Sequence, residues 1–177
     1  FLPMMFGLPA AALAMYRTAD FKNKKIIKGI LVSAALTSFL TGITEPIEFT
    51  FLFVAPPLYL IHAILEGLSY MLMQMLDVAV GITFSRGLID FTFFGLLQGM
   101  SKTSYQWILI LGPIYAVVYY YVFKFMIIKF NYATPGREGA ENKLYTKKDY
   151  HEKAGEDKLL TDIVESLGGI DNIQNID

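Results

Sequence analysis

Apolar and polar positions fall in long blocks up to about residue 130, and the block lengths predict helices of unequal kinds. Residues 1–16 are apolar around Gly7 and Pro9, short of the roughly 20 residues a membrane span needs. They read as the end of a helix begun upstream, or as an irregular segment. Arg17, Lys22, Lys24, Lys25 and Lys28 follow as a basic loop, cytoplasmic under the positive-inside rule. Residues 29–41 are again apolar but too few to cross a bilayer, a length typical of a re-entrant half-helix. Gly42 then sits where a helix ends on a left-handed glycine, and Pro46 where a new helix starts. That register puts Glu45 at the N-cap and Glu48 at the third helical position.

The apolar run continues to about Leu76, with Pro56-Pro57 kinking or ending a helix and Glu66-Gly67 inside it. Residues 78–100 mix apolar positions with Gly81, Ser85, Arg86, Gly87, Asp90, Gly95, Gln98 and Gly99, which predicts an irregular, protein-buried segment. Residues 106–128 form the clearest span. Trp107, Tyr115 and the cluster Tyr119-Tyr120-Tyr121 are read partly as interfacial anchors, and Lys124, Lys129 and Arg137 place its end in the cytoplasm. Residues 131–155 read as a polar linker. Leu159, Leu160, Ile163, Val164 and Leu167 then share one face of an amphipathic helix ended by Gly168-Gly169. One such helix cannot form its own core, so it is expected to open a domain that continues past Asp177.

Composition sharpens this division. The 177 residues are 54% hydrophobic with a formal net charge of −1, and the mean hydropathy is +0.44. The charge hides an asymmetry: residues 1–130 carry six acids and nine bases, residues 131–177 ten acids and six bases. A membrane part followed by a short soluble part is the reading. No basic patch interleaved with aromatics points to nucleic acid. The absence of cysteine excludes disulfides, thiol catalysis and zinc–thiolate sites within this chain. The first residues have no basic start and do not read as a signal peptide, so the chain is expected to be a piece of a longer one.

Acids at bilayer depth are costly and call for partners or a ligand; a broken backbone there needs protein or a watery cavity. The stretch Gly42-Ile43-Thr44-Glu45-Pro46-Ile47-Glu48-Phe49 carries both features. Glu45 is the leading candidate. It can accept hydrogen bonds from a polar solute or take a proton from a hydroxyl; the other reading is a plain helix cap. Thr44 either donates to the same ligand or satisfies backbone at the break. Glu48 either stabilises its own helix start or touches substrate. His62 and Glu66 share a helix face, as a buried hydrogen-bonded pair or a relay; without a third ligand they do not make a metal site. Arg86 and Asp90, at the same spacing, are expected to form a compensating ion pair, or to line a pathway. The aromatics of residues 49–59 and 91–94 either stack on a ligand or pack the core. No Walker-type phosphate loop, Gly-x-Ser-x-Gly elbow or His-Glu-x-x-His motif occurs, which argues against a self-contained enzyme.

The Gly42–Phe49 stretch followed by Phe53-Val54-Ala55-Pro56 resembles the membrane component (IIC) of bacterial phosphotransferase-system sugar transporters, in the glucose–maltose–N-acetylglucosamine branch. Supporting stretches are Phe6-Gly7-Leu8-Pro9-Ala10-Ala11-Ala12-Leu13-Ala14-Met15-Tyr16, Thr83-Phe84-Ser85-Arg86-Gly87-Leu88-Ile89-Asp90-Phe91 and Thr134-Pro135-Gly136-Arg137-Glu138. The tail from Leu159 to Ile173 is similar to the opening helix of the attached IIB domain.

The resemblance implies an all-α, polytopic helical membrane protein fragment with a re-entrant, discontinuous helix, and the start of a small α/β domain at the C-terminus. Residues 1–130 become the C-terminal half of the IIC domain, 131–155 a cytoplasmic linker and 156–177 the first helix of IIB. The implied activity is that of the intact system, a protein-phosphocysteine–sugar phosphotransferase that binds a glucose- or maltose-type sugar and phosphorylates it during import. It implies alternating access in the bacterial inner membrane, with Glu45 binding the sugar and deprotonating its hydroxyl and Thr44 assisting. Glu48, His62, Arg86 and Asp90 are secondary candidates. The implied partners are phosphorylated IIB and, through it, IIA and HPr, the lipid bilayer and a second copy in a homodimer, with no cofactor or metal. The family's phosphoryl-carrying cysteine and the half of IIC with its sugar-site histidine are expected outside this chain, so His62 is a different residue and the chain alone is expected to be inactive. Arg86 stands where the family pattern has a small residue; it tunes sugar choice or balances Asp90. The competing readings are an ion- or proton-coupled secondary transporter of a polar solute, with Glu45 as its proton site, and a non-transporting structural fragment.

Overall fold

The computed structural model describes residues 1–137. The helix expected at 156–167 and nearly all of the expected linker lie outside the described residues. Those described are helical, with no strand among them. A π-helical turn, Leu2–Gly7, runs directly into α1 (Leu8–Thr18). Then come α2 (Lys24–Thr41), α3 (Glu45–Leu52) and α4 (Pro56–Met75). An irregular stretch leads to the single turn α5 (Leu88–Asp90), which passes into a second π-helical turn, Phe91–Leu96. The short α6 (Met100–Thr103) precedes α7 (Gln106–Lys129).

α1 is the centre of the packing. Its face of Ala10, Ala11, Ala12 and Ala14 is buried, and small side chains let α2 and α7 approach closely. Glycine permits two closer approaches still. A Cβ on Gly7 would lie 2.7 Å from the Tyr119 ring, and one on Gly112 2.5 Å from the Phe6 ring. A buried hydroxyl helps join α2 to the first π turn: Ser38 Oγ donates to the Met4 carbonyl at 2.7 Å.

The helix ends follow local chemistry. Gly42 stops α2 in the left-handed region, at φ +81°, its N–H donating to Ser38 O. Asp77, Ser104 and Asn131 take positive φ just past α4, α6 and α7; short polar side chains tolerate that conformation best after glycine. Pro56 and Pro57 end the previous segment and open α4. Among the described residues only α7 is long and apolar enough to cross a membrane; its 24 residues extend about 36 Å.

Two expectations change. α2 begins at Lys24, not at residue 29, because the carbonyls of Asp20 and Asn23 accept the first-turn N–H groups and Ile27 is buried beneath them. Lysine is a good helix former, so the basic run is partly the first turns of a helix. The second change is register at the break. Thr44 is the N-cap of α3 and Glu45 its first residue, since the Thr44 carbonyl already accepts the N–H groups of Ile47 and Glu48, both at 3.0 Å. Glu48 is therefore fourth in the helix, not third.

Candidate functional site

The site is built on the link between α2 and α3. Gly42 turns the chain, and Ile43 N–H donates to Thr41 Oγ1 at 3.2 Å, so the break is partly satisfied locally. Behind it lies the loop of residues 85–87, backbone against backbone. A Cβ on Gly42 would fall 2.5 Å from Ser85 Oγ and 2.6 Å from Arg86 N; one on Gly87 would fall 2.5 Å from the Leu40 carbonyl oxygen. Glycine is required on both sides.

The two acids that follow have different surroundings. Glu45 is exposed and has no hydrogen-bond or ion-pair partner among the described residues. Phe49 and Phe53, one and two turns further on the same face, are 56% and 75% exposed, with ring centroids 6.0 Å apart. Ile47 and Phe51, on the opposite face, are fully buried.

Glu48 points inward. Its Oε1 lies 3.3 Å from His62 Nε2. His62, 2% exposed on α4, also has Glu66 Oε2 3.7 Å from Nε2. Its Nδ1 is 3.0 Å from the Tyr119 hydroxyl of α7. Carboxylates only accept, so Nε2 carries a proton toward them. Nδ1 then accepts from Tyr119 when the ring is neutral and donates to it when the ring is charged. The rings of Phe51, Tyr59 and Tyr119 surround the imidazole at centroid distances of 6.0–6.3 Å. Nearby, Tyr115 donates to the Leu65 carbonyl at 3.2 Å, a second polar tie between α7 and α4.

His62 and Glu66 are thus brought together as their spacing suggests, but the link to Glu48 crosses from one helix to another and was not foreseen. Tyr119 was expected at the interface and is instead fully buried. The signal was present: Tyr115, Tyr119 and Phe123 recur every four residues, and Tyr119 and Phe123 stack at 5.7 Å. No set of three metal-ligating side chains among the described residues is arranged to hold an ion.

The expected Arg86–Asp90 ion pair does not form. Gly87 is extended and α5 starts only at Leu88, so the four-residue spacing does not put the two on one helical face. Asp90 is buried and accepts Thr83 N–H at 2.9 Å and Thr83 Oγ1–H at 2.6 Å. Arg86 lies over the Tyr70 ring, 4.9 Å from its centroid.

Remote from the break, the chain after α7 returns to the α1–α2 turn. The Gly136 carbonyl accepts Asp20 N–H at 3.0 Å and Asn23 Nδ2–H at 3.1 Å. Arg137 donates to the Thr18 carbonyl at 3.0 Å and to Asn131 Oδ1. Gly136 has φ +84°, and a Cβ there would meet Ile27 at 2.6 Å.

A broken helix bearing an open acid and exposed aromatics thus stands in the same chain as one apolar helix long enough to cross a membrane. Residues 1–67 match the family model described as "Phosphotransferase system, EIIC". The chain is 49% identical over 174 residues to the PTS system glucose-specific EIICBA component of Staphylococcus carnosus (strain TM300). It is equally similar, over the same length, to that of Staphylococcus saprophyticus subsp. saprophyticus. The chain is thus similar over residues 1–67 to the EIIC family and over nearly its whole length to glucose-specific EIICBA components. Each match covers 98% of this chain and 24% of the relative, so the chain spans about a quarter of the length of the curated relatives it matches.

Proposed function

We propose that this chain supplies the second half of the sugar-binding membrane domain of a phosphotransferase-system transporter, and that Glu45 contacts the sugar. A glucose-type hexose is the substrate class, because the relatives named above are glucose-specific. The observation that carries the reading is the contrast at the break: Glu45 is exposed and has no partner among the described residues, while Glu48 three residues on is held by His62. An acid with an exposed phenylalanine one turn away is a combination suited to a sugar, whose hydroxyls donate to carboxylate and whose ring face packs on an aromatic. Thr44, on the Glu48 side of the break, assists by holding the turn.

α2 and α3 act as a discontinuous, re-entrant element. The contacts of Gly136 and Arg137 with the α1–α2 turn bring the ends of α1 and α7 and the start of α2 to one side. That side carries Lys22, Lys24, Lys25, Lys28, Lys124 and Lys129 and is cytoplasmic by the positive-inside rule. The apolar part of α2 rises about 20 Å from it before Gly42, short of a hydrocarbon core of about 30 Å. Glu45 would then lie inside the membrane, where sugar arriving from outside is presented to a phosphorylated IIB domain, itself supplied through IIA and HPr. The full transporter is multi-pass and homodimeric in this reading.

The test is phosphoenolpyruvate-dependent phosphorylation of labelled glucose and maltose in vesicles carrying the intact transporter. Wild type is expected to phosphorylate glucose, and Glu45→Gln to weaken sugar binding by about tenfold or more, as the loss of a charged hydrogen-bond acceptor does. Unchanged affinity in Glu45→Gln rejects the assigned role. Uptake that ignores phosphoenolpyruvate and collapses with an uncoupler rejects the phosphotransferase reading in favour of ion coupling.

A further inference from the structure

Among the described residues Glu45 has no side-chain partner, so its helix decides where its carboxylate stands. That helix, α3, has eight residues, too few to hold a fixed orientation without tertiary ties. One tie is apolar, through buried Ile47 and Phe51. The prominent polar tie is Glu48, which neighbours Glu45 one turn along the helix surface and meets His62 Nε2 at 3.3 Å. His62 is anchored independently. Tyr119 of α7 fixes Nδ1 at 3.0 Å, and the second carboxylate, Glu66 on its own helix, keeps the donor edge turned toward the acids. The arrangement runs from a bilayer-length helix through an imidazole to the helix that carries the free acid.

We propose that His62 is a positioning residue for Glu45: by gripping Glu48 it fixes the rotation of α3 and so the place of the sugar-facing carboxylate. This rests on the reading of Glu45 given above. It assigns His62 a hydrogen-bonding duty distinct from its ring packing, and the two can be separated by substitution. His62→Gln keeps an N–H donor and loses the ring; His62→Phe keeps the ring and loses the donor.

The experiment is equilibrium binding of labelled glucose to the full-length transporter, with melting temperature recorded for each variant. His62→Phe is expected to weaken binding about tenfold, the scale on which small misplacements act. His62→Gln should stay within about twofold of wild type because the donor survives. Glu48→Ala should match His62→Phe, and the double variant should be no worse than either single, as for two residues acting through one contact. Wild-type affinity in His62→Phe overturns the proposal, as do additive losses in the double variant. If a His62 variant does not fold, Glu48→Ala decides alone: a tenfold loss supports the proposal and unaltered binding overturns it. Should Glu45→Gln itself bind normally, the underlying reading falls; should it lose binding while His62→Phe and Glu48→Ala do not, only the positioning role falls.

Discussion

Glu45 and Asp90 look alike in the sequence: each is an acid set in apolar surroundings near a glycine. The fold treats them in opposite ways. Asp90 is 5% exposed, and its two oxygens are taken by the backbone and hydroxyl of Thr83; it closes a loop. Glu45 is exposed and takes no partner among the described residues. A buried acid that is fully hydrogen-bonded explains itself, whereas an acid left open beside a helix break is the one on which the proposed sugar contact rests. The two regions meet where Gly42 lies against Gly87, so the open site rests directly on the closed one.

Breaking that joint should have the largest effect. Gly87→Ala puts a Cβ against the carbonyl of Leu40, a backbone atom that cannot rotate away. A cost of about 3 kcal/mol or more is expected, read as a large drop in melting temperature of the full-length protein together with loss of sugar binding. Asp90→Ala comes next. It strands the Thr83 donors and should cost about 2 kcal/mol. Glu45→Gln in the same melting assay should leave stability unchanged. Equal destabilisation by the two substitutions would erase the distinction between them. Arg86→Ala is the smallest. It removes a cation–π contact with half-exposed Tyr70 and should shift stability by about 0.5 kcal/mol, with sugar binding intact; a marked change in sugar selectivity would instead place Arg86 with Glu45.

Much of this architecture is legible in the sequence where chain chemistry dictates conformation. Gly42 announces the end of α2, Pro56-Pro57 a break in the apolar run though not that a helix starts on it, and the composition of residues 78–100 its irregular course. α7 appears one residue from its expected end. Charge was a poorer guide. The lysines before residue 29 suggested a loop, yet an exposed helical turn accommodates them as well. Spacing failed at Arg86 and Asp90 because it presumes a continuous helix, and Gly87 is extended. The link between Glu48 and His62 joins residues on different helices, and no periodicity within one helix encodes that. Pro46 already ranks Glu45 ahead of Glu48 in the sequence, and the packing of Glu48 onto His62 adds the partner that holds the second acid.

The return of residues 134–137 to the α1–α2 turn has a consequence for the helices it joins. A contact between residues far apart in sequence closes a loop, and the entropy of closing it grows only slowly with loop length. Here the Gly136 carbonyl, pinned by Asp20 and Asn23, closes a loop that holds α2 through α7. The end of α7 is thereby latched to the end of α1 and the start of α2. A glycine that admits no Cβ and one arginine thus work as a clasp on three helix ends.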